Sequence, residues 1–305
     1  MKKLVPFLLL GSFLLGGCSK SLELKPFTYS NDAINIVDTL PVVIHQTAHV
    51  VMLYGQSNAD GVSHNEYLQK NNSEKYNEYL NGYNNVYINY INDNLLTSSL
   101  GEFVKCTLGC GCSPTQFGPE MGIAEMMSKA YPGDQTFIIK WTWGGTTLHN
   151  QWLDAKRGRG DLYNDAMDFT LKCLKYLTHK GYWLSIDGIC WMQGENDSLF
   201  KNENQYYNDT KDFVTLLRYD LSSYQEKIRF IDAGINEEPG IWIKPELVNK
   251  AKKRFSNESP LNYYLDPVKM GLSSTHEPED AVDFAHFDSM SMVKLGQEFG
   301  EIVSE

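Results

Sequence analysis

Residues 50–58 read VVMLYGQSN: five apolar residues, a glycine that ends the run, and a serine two positions later. Three further apolar runs of strand length follow along the chain, at residues 136–143, 186–192 and 228–235. Runs that are apolar on both faces are typical of the central strands of a parallel sheet, because helices cover both sides of such a sheet. The sequence therefore predicts that residues 50–54 form the first clear core strand.

Helical patterns alternate with these runs, at residues 120–131, 161–179, 203–224, 245–255 and 290–303. Alternating strands and helices predict an α/β fold, a three-layer α/β/α doubly wound parallel sheet. Ligands bind beyond the carboxyl ends of the strands in such sheets, so the loops after the strands are expected to carry the chemistry. Residues 71–94 are rich in Asn and Tyr with little regular periodicity, and they are expected to form either a surface excursion with substrate-facing aromatics or a solvated loop.

The N-terminus has the features of an export signal. Lys2 and Lys3 precede an apolar run over residues 4–15, which is shorter than the roughly 20 residues that span a bilayer. The run ends in Leu-Gly-Gly-Cys18, which resembles a bacterial lipobox; the alternative is an ordinary signal peptide with an incidental cysteine. We expect a signal peptide at 1–17, a lipidated Cys18 that begins a tether at 18–40, and one domain at 41–305. The mature protein would be exported and anchored to a membrane, on its periplasmic or cell-surface side.

The composition of the chain limits the kinds of ligand that the protein is expected to bind. The formal net charge of −11 disfavours nucleic acid and anionic membrane surfaces as partners, and a neutral substrate fits better.

Cys106, Cys110 and Cys112 lie in one short loop without a fourth ligand, so they make a poor zinc site. In an oxidising compartment this spacing favours a disulfide within the loop, and we expect no metal. The sequence gives no indication of an oligomeric state.

Three of the predicted strands end in residues suited to stabilising a reacting carbonyl. Ser57 follows the first strand, where its hydroxyl and its own N–H are expected to face the site. Gly144 and Gly145 follow the second strand and allow a close backbone approach with an N–H donor. The side-chain amide of Gln193, after the third strand, is a further candidate donor to an oxyanion.

A base for the serine is available near the C-terminus. Asp283 and His286 lie three residues apart, so the carboxylate can orient one ring nitrogen while the other takes a proton from Ser57. Each motif alone is common. Together they supply a nucleophile, a base, an orienting acid and oxyanion donors, which is the set that acyl transfer requires.

The four motifs carry a family resemblance. GQSN at 55–58, WGGT at 143–146, WMQGEND at 191–197 and DFAHF at 283–287 resemble the sialate O-acetylesterase and acetylxylan esterase group of SGNH hydrolases, which carbohydrate esterase family six also covers. The resemblance implies a flavodoxin-like parallel sheet of the SGNH type. It also implies site roles: Ser57 as nucleophile, His286 as base and Asp283 as its partner, with oxyanion donors from the amides of Ser57 and of Gly144 or Gly145 and from the Gln193 side chain.

The expected activity is the hydrolysis of acetyl esters on a carbohydrate, without a cofactor. Glu195 is a second carboxylate near the site that could share or replace the role of Asp283. Asn58, Trp143 and His149 are candidate substrate contacts. The expected partners are an acetylated carbohydrate and, through the lipid anchor, a membrane.

Three other functions compete with this one. The first is an SGNH esterase that acts on another acyl ester. The second is a non-catalytic, glycan-binding surface lipoprotein whose tryptophans stack on sugars (Trp141, Trp143 and Trp152). The third is a metal-dependent enzyme that uses the cysteine loop.

Overall fold

A computed structural model describes residues 35–93, 95–200 and 202–305 of the chain. Its strands are β1 (Gln46–Gly55), β2 (Ser63–His64), β3 (Val86–Asn92), β4 (Thr97–Ser98), β5 (Val104–Lys105), β6 (Gln116–Phe117), β7 (Gln135–Thr142), β8 (Tyr182–Met192), β9 (Arg229–Ala233) and β10 (Asn262–Leu265). Its helices are α1 (Ser57–Asp60), α2 (Asn65–Asn71), α3 (Ser73–Asn81), α4 (Glu120–Ala130), α5 (Asp161–His179), α6 (Glu203–Asp220), α7 (Pro245–Ser256), α8 (Pro267–Met270) and α9 (Ser289–Ser304). A π-helical turn covers Leu148–Trp152 and a 3₁₀ turn covers Asp197–Phe200.

The main sheet has the strand order β10-β9-β8-β1-β7-β3-β4, and β5 also pairs with β3. The six strands from β10 to β3 are parallel, whereas β4 and β5 run antiparallel to β3. β2 and β6 form a separate small ladder. The first strand, β1, thus lies between the third and fourth parallel strands in chain order. This is the topological switch point at which a doubly wound sheet opens a crevice for ligands.

Alternating side chains of β1 enter two core layers. Val50 and Met52 pack in the layer that also contains α5, α6 and α7. Val51 and Leu53 pack in the layer that contains α2, α3, α4 and α9. All four side chains are completely buried. Burial on both faces accounts for the unbroken apolar run, and it confirms the predicted three-layer α/β/α architecture.

The strand order adds a detail that the sequence did not give. In flavodoxin order the second parallel strand lies beside the first. Here the second parallel strand, β3, lies beyond β7, which takes the place next to β1. The chain reaches β3 through α2 and α3 and returns through the short strands β4, β5 and β6.

The expectation that residues 71–94 form an irregular surface excursion or a solvated loop was wrong. Most of this stretch is regular, because α3 occupies Ser73–Asn81 and β3 occupies Val86–Asn92. Asn89 and Asn92 interrupt the apolar pattern of β3 in the sequence, although both side chains are fully buried. Asn89 donates to Gly101 O at 2.9 Å, and Asn92 donates to Cys110 O at 2.9 Å. A buried amide is tolerated when its hydrogen bonds are satisfied, and hydrophobic periodicity cannot detect that.

The predicted helices agree with the structure apart from their ends. The segment predicted over 161–179 is α5, whereas the segment predicted over 203–224 stops at Asp220. Within the structurally described part of the chain, no helix is both long enough and apolar enough to cross a membrane.

The last residues of the predicted tether contact the domain. The amides of Thr39 and Leu40 donate to the Tyr176 hydroxyl at 3.2 and 3.0 Å, and Leu40 is buried. Asp38 forms an ion pair with Lys180. The packed part of the chain therefore begins before residue 41. The predicted signal peptide (1–17) and the lipidation site Cys18 lie outside the described residues.

The structure describes five cysteines, all of them buried thiols outside any disulfide (Cys106, Cys110, Cys112, Cys173 and Cys190). The disulfide expected within the 106–112 loop is therefore not formed. Cys106 and Cys110 instead fill one of the two core layers, and burial raises the pKa of Cys110 to about 11. No group of three or more His, Cys, Asp or Glu side chains suited to a metal occurs in residues 35–93, 95–200 and 202–305.

Candidate active site

The turn that carries Ser57 is held between the carboxyl ends of two strands. Gly55 O accepts from the Trp143 N–H at 3.0 Å, and the Gln56 N–H donates to Met192 O at 2.8 Å. Gly55 has a φ of 148°, and a Cβ at this position would lie 2.0 Å from Met192 O. Only glycine fits there. Ser57 then begins the single turn of α1 and retains 8% of its exposure.

Asp283 orients His286. Its Oδ2 lies 2.5 Å from His286 Nδ1, and its Oδ1 accepts from the Ala285 N–H at 3.0 Å. Burial raises the pKa of Asp283, but the hydrogen bond and the charge of His286 outweigh that effect and hold the pKa below its usual value. The carboxylate is therefore ionised at neutral pH. The other ring nitrogen, Nε2, is left to exchange a proton with a reacting group.

Asn58 connects the serine turn to the histidine loop. Its Oδ1 accepts from the Phe287 N–H at 3.1 Å, and its Nδ2 approaches Ala285 O at 3.4 Å. These two groups flank His286 in the chain, so the residue after Ser57 holds the residues on both sides of His286. Ser63 reinforces this arrangement, because its hydroxyl donates to Phe287 O at 2.7 Å.

The burial of Asn58 disfavours the substrate contact that the sequence suggested for it. It is 1% exposed, and all of its side-chain hydrogen-bonding groups are used inside the protein. Asn58 thus joins the serine turn to the histidine loop, and substrate contact by Asn58 stays a prediction.

Glu195 is not the carboxylate on the histidine. Its Oε1 accepts from Asn58 Nδ2 at 2.8 Å, whereas Nδ1 of His286 is bound to Asp283. Glu195 is 2% exposed, and its Oε2 has no hydrogen-bond partner in the described part of the chain. The two carboxylates therefore have different partners: Asp283 orients His286, whereas Glu195 accepts a hydrogen bond from Asn58.

Of the two glycines after β7, Gly144 lies closer to Ser57. A methyl group placed on Gly144 would be 3.7 Å from Ser57 Cβ. One placed on Gly145 would be 3.8 Å from Asn196 Nδ2, and the Asn196 amide donates to Gly145 O. Neither Ser57 N–H nor Gly144 N–H bonds to any residue that the structure describes. Both amides are therefore available to an oxyanion.

The predicted donor Gln193 is engaged elsewhere. Its Nε2 lies 2.6 Å from Asp197 Oδ2, 2.9 Å from Thr146 O and 3.2 Å from Gln56 Oε1. An amide has two hydrogens, so these three acceptors already saturate it. Gln193 is also completely buried. A role for Gln193 as an oxyanion donor requires release from one of these partners, and that role stays a prediction.

Asp197 is the acceptor that organises this side of the site. It also accepts from the Leu148 N–H at 2.9 Å and the His149 N–H at 3.3 Å. Burial raises the pKa of Asp197 to about 6, although these hydrogen bonds oppose the rise. Asp197 thereby fixes the loop after Gly144 and Gly145 relative to β8.

The remaining predicted contacts line the same edge of the sheet. Trp143 is partly buried and packs near Trp141, with ring centroids 6.2 Å apart. The His149 ring bonds to Asp209 at 2.9 Å and keeps 29% of its side-chain exposure. Both residues follow β7, the strand that ends at the glycines. This position is compatible with substrate contact, which stays a prediction for both.

Sequence reasoning missed Asp60. Its side chain is completely buried three residues after Ser57. Its Oδ2 would lie 3.3 Å from a methyl group on Gly144. The signal available in the sequence was its spacing, because a residue at i+3 of a helical turn lies on the same face as residue i.

The arrangement combines a serine at the end of a strand, an imidazole oriented by an ionised carboxylate, and two backbone amides without a hydrogen-bond partner among the described residues. This is the set of groups that acyl transfer through a serine requires. It occupies the carboxyl edge of β1, β7 and β8, at the switch point of the sheet.

Comparisons with known proteins place the chain among esterases. The sequence pattern of one family, described as carbohydrate esterase, sialic acid-specific acetylesterase, matches residues 47–305. Among solved structures, a protein from Arabidopsis thaliana has a TM-score of 0.59 at 17% identity, over 84% of this chain and 97% of that one. NanS has a TM-score of 0.56 at 14% identity, over 86% and 98%.

A carbohydrate acetylesterase from Xanthomonas citri has a TM-score of 0.51 at 13% identity, over 84% of this chain and 55% of that one. A search of curated proteins gives no match. At such identities the structural matches show a shared fold, that of SGNH-type esterases. The family match spans nearly all of the described residues, including all four motifs. The chain is a serine esterase and belongs to the sialic acid-specific acetylesterase family of carbohydrate esterases.

Proposed function

We propose that this protein removes acetyl groups from a carbohydrate through a Ser57–His286–Asp283 triad and an acetyl-enzyme intermediate. Family membership supports esterase activity on carbohydrates. The observation that carries the triad is the pair of contacts from Asn58 to Ala285 O and Phe287 N–H, which places the His286–Asp283 pair beside the serine turn.

The reaction follows from this geometry. His286 Nε2 takes the Ser57 proton while the serine oxygen bonds to the acetyl carbonyl carbon. The N–H groups of Ser57 and Gly144 stabilise the oxyanion; loss of one such donor costs about 3–4 kcal/mol of barrier in related chemistry. The bond to the sugar oxygen then breaks, and that oxygen takes the proton from His286. Water repeats the sequence on the acetyl-enzyme and releases acetate.

The test is acetate release from acetylated oligosaccharides by the purified chain, with Ser57→Ala as the matched variant. We expect the variant to lose at least about 1,000-fold in kcat. A folded wild type that releases no acetate, from sugars or from a simple aryl acetate, would reject the enzyme and favour the glycan-binding function. Activity on aryl acetates alone would indicate that another acyl ester is the substrate.

We also propose that the protein is an exported lipoprotein. The support is the sequence of residues 1–18, with two lysines, a short apolar run and Gly-Gly before Cys18. Two or more acyl chains on one cysteine anchor a protein stably, because each buried CH₂ contributes about 0.8 kcal/mol. Metabolic labelling with a fatty-acid probe should mark the wild type and not Cys18→Ser. Equal labelling of both would exclude Cys18 as the acylation site.

A further inference from the structure

Asp60 is a buried carboxyl that the reaction just described does not use. It is completely buried at the end of α1, three residues from Ser57. Neither of its oxygens has a hydrogen-bond partner of good geometry among the residues that the structure describes. An ionised carboxylate in such a place is strongly disfavoured, since it has lost its water and gained no donor.

Asp60 lies close to the residues that form the proposed oxyanion hole. A methyl group placed on Gly144 would lie 3.3 Å from Asp60 Oδ2 and 3.7 Å from Ser57 Cβ. Asp60 Oδ2 and Ser57 Cβ thus lie near the same side of Gly144, whose N–H is a candidate oxyanion donor. A charge on Asp60 is therefore close to the place where the oxyanion would form.

The charged groups nearest to Asp60 do not favour its ionised form. Asp93 lies on the same side of Gly144, with its Oδ1 3.7 Å from the same methyl position. Lys140 on β7 donates to the backbone oxygen of Asp60 at 2.8 Å, but its own ion pair is with Glu120, at 3.0 Å. The nearest cation is therefore already neutralised by another carboxylate.

α1 also contacts β1 and β8, and neither strand contains a lysine or an arginine. Tyr54 on β1 belongs to the opposite core layer, where it bonds to Thr170, and Cys190 on β8 is a buried thiol whose pKa burial raises well above its usual value. Asn58 of α1 bonds to Glu195, a further carboxylate, and to the N–H of Phe287, the residue after His286.

Burial, the largest cause, raises the pKa of Asp60 to about 7; Thr142 and Lys140 oppose this rise, and Asp93 adds to it. The group therefore changes charge near neutral pH, within the range in which an esterase with a histidine base works.

We propose that Asp60 serves as a neutral carboxylic acid beside Gly144, and that its ionisation slows acyl transfer by placing a negative charge next to the oxyanion hole. Asp60 is completely buried and acts through its charge without touching the substrate, so it is a positioning residue. The inference rests on the proposed esterase function. Ionisation of Asp60 should lower kcat and leave KM nearly unchanged, because the oxyanion exists only in the transition state and the intermediate.

The experiment is the pH dependence of Ser57-dependent acetate release by the purified full chain, from pH 5 to pH 9.5. For the wild type we expect kcat to fall by about 10-fold or more above pH 7, the range that a nearby like charge produces. Asp60→Asn keeps the shape of the neutral acid and cannot ionise. Its kcat should match that of the wild type at pH 6 within about threefold and should show no alkaline fall.

Two variants with opposite expectations complete the design. Asp93→Asn removes the charge that adds to the pKa rise of Asp60, so the alkaline fall should move to lower pH. Asp165→Asn changes another aspartate whose pKa burial raises to about 7, but on α5, outside the site loops. This control should leave the profile unchanged. The Asp93 variant also tests the idea if Asp60→Asn fails to fold.

The outcomes separate the two proposals. A wild-type kcat that stays flat to pH 9.5, or an alkaline fall that persists in Asp60→Asn, would overturn the role of Asp60 and leave the esterase intact. Absence of Ser57-dependent activity at every pH would reject the esterase instead. In that case an NMR titration of the carboxyl carbons, wild type against Asp60→Asn, still decides whether Asp60 ionises near neutral pH, and an ionised Asp60 at pH 5 would contradict the proposal.

Discussion

Asn58 Oδ1 accepts a hydrogen bond from the backbone N–H of Phe287 at 3.1 Å, across 229 positions of the chain. One partner follows Ser57, the proposed nucleophile, and the other follows His286, the proposed base. The sequence contains both motifs, and this contact, its neighbour at Ala285 O and the bond from Ser63 to Phe287 O bring them together. In the proposed mechanism, the catalytic geometry therefore depends on a residue that takes no part in the chemistry.

Replacement of Asn58 by alanine should lower kcat by at least about 10-fold with a smaller effect on KM, because the base loses its position and the substrate pocket stays intact. The variant also leaves Glu195 and the Phe287 amide without a partner, so the free energy of unfolding should fall by about 1–3 kcal/mol. Steady-state kinetics and urea unfolding measure the two effects.

Asn65→Ala is a suitable control for this variant, since the Asn65 side chain, at the start of α2, donates to Pro114 O at 3.3 Å. It should change neither quantity appreciably. Wild-type kcat in Asn58→Ala would show that the bridge to the histidine loop is dispensable.

Substitutions of the two carboxylates near His286 should have very different effects on kcat. Asp283→Asn removes the charge that stabilises the imidazolium and disturbs the tautomer of His286, and a loss of about 1,000-fold or more in kcat is expected. Glu195→Gln still accepts from Asn58 and should lose about 10-fold at most. A larger loss for Glu195→Gln would reverse the two roles; kcat measured side by side at one pH decides.

Gln193 offers a test of whether the site rearranges. Its Nε2 is bonded to Asp197, Thr146 and Gln56. If it turns toward the oxyanion during catalysis, Gln193→Ala should lower kcat by about 100-fold, the effect of losing one oxyanion donor, with little change in KM. An unchanged kcat would show that the amide only ties the 146–149 loop to β8, and the variant would then be less stable in urea.

Asp60 should also affect stability in a pH-dependent way. Its folded-state pKa of about 7 lies above the unfolded value of about 3.9, so the folded state binds the proton more tightly. Its favourable contribution is complete below pH 4 and is lost as the pH rises to about 7, which amounts to about 4 kcal/mol. Asp60→Asn should therefore gain in stability relative to the wild type between pH 4 and pH 8.

Urea unfolding of the two proteins at pH 4.5, 6 and 8 measures this difference. Parallel stability curves for the wild type and Asp60→Asn would show that the carboxyl does not change its protonation on unfolding in this range.

The charge of the sugar should influence the rate. The depression beside His286 is lined by Glu277 and Asp283, and the chain has a net charge of −11. We expect an O-acetylated sialic acid to react several-fold more slowly, in kcat/KM, than its uncharged methyl ester. Added salt should narrow the difference, because it screens exposed charges. A preference for the free acid would reveal a cation that recognises the carboxylate.

Much of the fold follows from local patterns. Residues 50–54, 136–143 and 186–192 are apolar on both faces because helices cover both sides of the sheet, and α5 follows its predicted bounds. β3 was not predicted, because its polar residues Asn89 and Asn92 break the apolar pattern even though both are buried and hydrogen bonded. The buried cysteines of the 106–112 loop were misread for a related reason: spacing along the chain does not tell whether a thiol faces a partner or the core.

The sequence by itself determined the chemistry available to this protein: a serine after a strand, glycines for a close approach, and an Asp–His pair three residues apart, which are local features of the chain. The tertiary structure alone decided that Asp283 and not Glu195 orients His286, that Asn58 joins the serine turn to the histidine loop, and that the buried Asp60 lies beside Gly144. These are contacts between residues far apart in the chain or between side chains whose burial sets their charge. They depend on how the strands are ordered in the sheet, and no local pattern records that order.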